Sequence, residues 1–85
     1  MIEARVTVYP RREILDPQGK AIGDALSRLG FQGVVSVRAG KSFEIELDTT
    51  EVGVARRQLE DMCERLLANT VVEDYEIEIL DEDGR

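Results

Sequence analysis

Eighty-five residues with a formal net charge of −7, one cysteine and no histidine leave room for one domain and exclude several classes of function. So acidic a chain is repelled by nucleic acid and by anionic membranes, and its aromatics, Tyr9, Phe31, Phe43 and Tyr75, are too scattered to stack bases. A lone thiol without imidazole forms no internal disulfide and is a poor ligand set for zinc or copper, so no metal is expected.

Residues 2–9 open the chain with strict alternation: Ile2, Ala4, Val6 and Val8 on one side, Glu3, Arg5, Thr7 and Tyr9 on the other. A period of two is the pattern of a half-buried strand. Pro10 ends it, and Arg11-Arg12-Glu13 reads as a connecting loop. Asp16-Pro17 then reads as an N-cap with proline in the first helical position, where its missing N–H costs nothing. Ile22, Ala25, Leu26 and Leu29 form one apolar stripe of a helix, and Gly30 is its expected stop.

Beyond Gly33, the alternation of Val35, Val37 and Ala39 with Ser36 and Arg38 predicts a second strand. Gly40-Lys41 fits a two-residue type II′ turn. Phe43, Ile45 and Leu47, alternating with Glu44, Glu46 and Asp48, give a third strand antiparallel to the second. Asp48 and Glu51 have capping-box-like spacing. Val52, Ala55, Leu59, Met62, Cys63, Leu66 and Leu67 make the stripe of a second helix, with Asp61 and Arg65 placed to attract at i, i+4. Asn69 suits the left-handed conformation of a helix stop. Tyr75, Ile77 and Ile79 then mark a fourth strand, and residues 81–85 form an acidic tail too polar to pack, expected to be disordered.

The order β-α-β-β-α-β defines an α+β fold: one antiparallel sheet of four strands with both helices on one face, ferredoxin-like, in a single domain over residues 1–80. The other face pairs Arg5 and Arg38 with Glu44, Glu46, Glu76 and Glu78. In this strand order the open edges are the second and fourth strands, around Val35 and Ile77, and such edges invite pairing with another chain. So short a chain buries only roughly 60–65% of its unfolded surface, and self-association or a partner is the expected source of further stability. No run approaches the ~18 apolar residues of a membrane helix, and Met1–Arg5 has no basic stretch leading into an apolar one. A cytoplasmic location is expected.

No catalytic constellation stands out. Cys63 lies on an apolar stripe with no histidine to activate it, and reads as a small core hydrophobe. The alternating carboxylates read as a solvated face, with nothing to desolvate one of them. Gly19-Lys20 and Gly40-Lys41 belong to no complete phosphate-loop pattern. Helix initiation and a surface lysine account for the first, with contact to a partner's acidic group or a phosphate as the alternative.

Leu15-Asp16-Pro17-Gln18-Gly19-Lys20-Ala21-Ile22, Leu29-Gly30-Phe31, Val37-Arg38-Ala39-Gly40-Lys41, Met62-Cys63, Leu66-Leu67-Ala68-Asn69 and Val72-Glu73-Asp74-Tyr75 run in one order across residues 2 to 79. Together they resemble the PurS family of small subunits of phosphoribosylformylglycinamidine (FGAM) synthase. Thr70 departs from the family, which typically has proline there. The resemblance implies a non-catalytic subunit in purine biosynthesis, itself an oligomer. It bridges a glutaminase subunit to an ATP- and Mg-using synthetase subunit and supports passage of ammonia, with no cofactor of its own. Asp16, Gln18, Lys20, Arg38 and Lys41 are the candidate partner contacts. The competing reading is an ACT-like regulatory module that binds a small molecule at a subunit interface. A ferredoxin-like isomerase is disfavoured by the missing base.

Overall fold

The alternating first segment becomes the middle strand of the sheet. A computed structural model describes residues 1–81. β1 (Ile2–Pro10) is flanked by β2 (Lys41–Leu47) on one side and β3 (Glu73–Asp81) on the other, both antiparallel. Ile2, Ala4, Val6 and Val8 are fully buried. Val6 faces Phe43 across one ladder and Ile77 across the other, so the apolar residues of all three strands share one face. Each Val or Ile buried this way contributes about 1.5–3 kcal/mol.

α2 (Val52–Met62) covers that face with its apolar stripe. Ala55 and Leu59 are buried, and Cys63 opens a single π-helical turn (Cys63–Leu67) that extends the helix. The expected Asp48–Glu51 capping box does not form. Glu51 occupies the cap position without a side-chain capping bond, and its N–H is accepted by Thr49 Oγ1 at 3.3 Å. Arg65 and Asp61 pair at 3.4 Å, as their spacing suggests.

Asn69 organises the next turn by a route other than the expected one. Among the described residues no residue but glycine has positive φ. Instead its Oδ1 accepts the Val71 N–H at 3.2 Å and its carbonyl accepts those of Val72 and Glu73, at 3.0 and 2.7 Å. This is the local turn chemistry that asparagine side chains favour. Arg11 ties the turn to β1: its N–H donates to the Val72 carbonyl at 2.9 Å and its Nη2 to that of Thr70 at 2.6 Å.

On the outer face, Arg5 sits in register opposite both Glu44 and Glu78 and reaches them at 3.8 and 3.5 Å. These exposed pairs are worth about 0–1 kcal/mol each.

α1 (Pro17–Arg28) forms where expected and stops as expected. Gly30 takes φ +96°, its N–H donates to the Ser27 carbonyl, and the Phe31 N–H reaches back to Leu26, a Schellman ending. Its stripe, however, is not buried within the chain. Only Gly19 is buried, while Ile22 is 38% and Leu29 74% exposed.

The α+β class and the antiparallel sheet with two helices hold, but the sheet has three strands among the described residues. Residues 34–39 do not pair with β2, and Gly40 lacks the positive φ that a type II′ turn needs. The cause lies in where the segment is tied. The Ala39 N–H donates to Asp16 Oδ2 at 2.9 Å and Arg38 Nη1 to the Pro10 carbonyl at 3.1 Å. Gly40 passes so close to β1 that a Cβ there would lie 2.5 Å from the Val8 carbonyl oxygen. The segment is thereby led to the start of α1 instead of folding back along β2. The open edges are β2 and β3; Ile77 lies on one of them, as expected, and Val35 lies on neither. Asp81 belongs to β3 by its backbone, and the rest of the expected acidic tail, 82–85, lies outside the described residues.

Candidate partner-binding site

The residues singled out from sequence gather only in part, at the start of α1. Asp16-Pro17 begins the helix, and the Asp16 carboxylate lies beside the first-turn amides of Gln18 and Gly19 without closing a capping bond of hydrogen-bond geometry. It accepts the Ala39 N–H instead. That bond, with the Gly19 and Gln18 amides adding to it, holds its carboxyl below the usual range despite an opposing desolvation. Gly19 makes the approach of the two segments possible, since any Cβ there would collide with the Val37 carbonyl.

A cleft of about 590 Å³ opens between these segments. Its cationic side chains are Arg12, Lys20 and Arg38, its acids Glu13 and Asp16, and Ile14, Leu15, Val35 and Val37 supply apolar wall. A second cleft of about 460 Å³ shares Arg12, Ser36 and Arg38 with it and adds Thr7, Tyr9 and Glu76. Arg38 therefore stands between the two, its guanidinium 4.9 Å from the centre of the Tyr9 ring. Tyr9 Oη donates to Glu76 Oε1 at 2.7 Å, and that bond raises the Tyr9 pKa.

Asp16, Lys20 and Arg38 thus come together as a site. Gln18 is exposed on α1 outside the cleft, and Lys41 starts β2 with its Nζ 5.8 Å from the Phe43 ring centre. Sequence reasoning missed Arg12, Glu13 and Leu15. Adjacent arginines in so acidic a chain were the available signal, and they sit in what reads as a plain loop.

The cleft sets cationic side chains beside apolar wall. Lys20 is held at 3.4 Å by Asp24. Cys63 is fully buried far along the chain, and burial first, then Glu64 and Glu60, pushes its thiol pKa up, away from a nucleophilic thiolate. Among the described residues no three His, Cys, Asp or Glu side chains gather to hold a metal, and no helix is long and apolar enough to cross a membrane.

Known proteins match this chain almost end to end. Residues 3–81 fit the family model PurS, described as phosphoribosylformylglycinamidine (FGAM) synthase. Phosphoribosylformylglycinamidine synthase subunit PurS of Mycobacterium leprae is 53% identical over 77 residues, 91% of this chain and 94% of the relative. The subunit of the same name from Bacillus subtilis is 39% identical, with 93% of each chain covered. Among solved structures, Bacillus subtilis PurS superposes with a TM-score of 0.81 at 37% identity, covering 95% of this chain and all of the other. A chain in the structure of PurLQS from Thermotoga maritima does so with a TM-score of 0.84 at 31% identity, covering 93% and 96%. With sequence, fold and chain length in agreement, this chain belongs to the PurS family.

Proposed function

We propose that this chain is the small, non-catalytic subunit of FGAM synthase in purine biosynthesis. In this role it holds a glutaminase subunit and an ATP-dependent synthetase subunit together and supports the transfer of ammonia between them. The observation that carries the reading is the near full-length match to relatives named as a subunit of this enzyme, one of the fold matches being a chain of PurLQS. The chain works in the cytoplasm as a homo-oligomer and brings no metal or cofactor, ATP and Mg being used by the large subunit. No observation favours the ACT-like alternative.

The cleft at the start of α1 is the proposed docking point for a larger subunit. It combines apolar wall with Arg12, Lys20 and Arg38, which suits an acidic, partly apolar surface; Asp16 positions the segment that bears Arg38. Gln18 and Lys41 flank it as outer contacts. Reconstitution with the two larger subunits tests this. Arg12→Glu with Arg38→Glu lowers glutamine-dependent synthesis at least ten-fold, while synthesis from added ammonium salt persists. Full glutamine-dependent output in the absence of this chain overturns the bridging role.

A further inference from the structure

The cleft of about 460 Å³ on the outer face of the sheet holds two arginines and a glutamate that do not meet. Among the described residues neither Arg12 nor Arg38 forms an ion pair, although Glu76 lines the same space. Arg5, further along that face, does pair with its neighbours Glu44 and Glu78. Tyr9 makes the difference. Its ring lies 4.9 Å from the Arg38 guanidinium, and its hydroxyl donates to Glu76 Oε1 at 2.7 Å. The Tyr9 pKa is raised, first by that bond, so the hydroxyl keeps its proton and stays a donor at neutral pH. Arg38 is fixed a second time by its 3.1 Å bond to the Pro10 carbonyl. One carboxylate is thus held aside while the guanidinium is set in place. Two positive charges against one negative suit one further carboxylate, and the planar fork of arginine matches its geometry.

We propose that this cleft receives an aspartate or glutamate side chain of a larger FGAM synthase subunit, gripped by Arg12 and Arg38, and that Tyr9 keeps the site open by occupying Glu76. Charge and position select the occupant. Arg12 and Arg38 also line the cleft at the start of α1, so one docked segment sets apolar side chains against Ile14 and Leu15 and a carboxylate between the arginines. Tyr9 is a positioning residue, acting through the two groups that it holds apart.

This rests on the subunit role proposed above, and the test separates the two. Biolayer interferometry reads the binding of this chain to the two larger subunits. Tyr9→Phe keeps the ring beside Arg38 and loses only an exposed bond, so far-ultraviolet circular dichroism is unchanged. Glu76, released, competes for the guanidiniums, and the dissociation constant rises about five-fold, the scale of one exposed ion pair. Adding Glu76→Gln restores wild-type binding, and the same change in the wild-type chain improves binding by less. Arg12→Gln with Arg38→Gln flattens the fall in affinity as sodium chloride is raised. A Tyr9→Phe chain that binds as wild type, equal gains from Glu76→Gln in both backgrounds, or an unaltered salt dependence overturns the proposal while the subunit role stands. So does the same rescue pattern in sedimentation equilibrium of this chain alone, since a second copy then fills the cleft. A wild-type chain that binds neither larger subunit overturns the site and the subunit role together.

Discussion

The two helices carry similar apolar stripes and meet different fates. α2 buries its stripe on β1, with Leu59 fully enclosed, whereas α1 leaves Leu29 three-quarters exposed and buries only Gly19. The half of the molecule made of β1 and α2 buries its apolar side within its own chain. The half made of α1 and residues 33–40 has the patterning of a core but not the partner. Apolar periodicity therefore marks a surface for burial without saying who covers it.

Truncating the two stripes draws the contrast most sharply. Leu59→Ala opens space in the closed half and lowers unfolding free energy by about 2–5 kcal/mol. Leu29→Ala costs within about 0.5 kcal/mol in the monomer. Urea denaturation of both variants at a concentration where the chain is dissociated measures the difference, and equal losses break the comparison.

Within the open half, a similar pair of substitutions divides the glycines of α1. Gly19→Ala drives a methyl group into the Val37 carbonyl and destabilises by about 1–3 kcal/mol, as overpacking does. At Gly23 the new Cβ meets Val37 Cγ2 at an ordinary 3.6 Å, and the better helix propensity of alanine stabilises by about 0.5–1 kcal/mol. Thermal unfolding shows opposite signs if the segment lies against α1 as described.

The smallest effect is a titration. The Asp16 pKa is lowered, first by the Ala39 N–H, so its contribution is fully present above the ordinary value of 3.8 and is lost as pH falls through the lower folded value. The Ala39 amide resonance moves with that midpoint below the ordinary carboxylate range, and Asp16→Asn abolishes the movement. A midpoint at the ordinary value dissolves the link between helix and segment.

Much of this was legible in the residues. β1 showed its buried face in the alternation of Ile2, Ala4, Val6 and Val8, and Gly30 marked the end of α1 because φ +96° suits glycine. Asp61–Arg65 and the Arg5 pairs followed from spacing and face. The alternation at Val35, Val37 and Ala39 gave no strand in this chain's own sheet, because periodicity records sides, never the identity of a neighbour. The Asp16 carboxylate escaped because a cap and a long-range tether use the same side chain. The cleft was half visible: Lys20 and Arg38 stood out as cations near turns, while Arg12 joins them only through the path of a loop.

Placing the amino-terminal strand in the middle of the sheet has a kinetic consequence. The Arg5–Glu78 and Tyr9–Glu76 hydrogen bonds span 73 and 67 positions, so the last ladder closes a loop almost as long as the chain. Such distant closure slows folding, and on the ribosome it waits for residues 73–81 to emerge. Until then one edge of β1 is bare, and the nascent chain must be kept from finding a stranger's strand before its own.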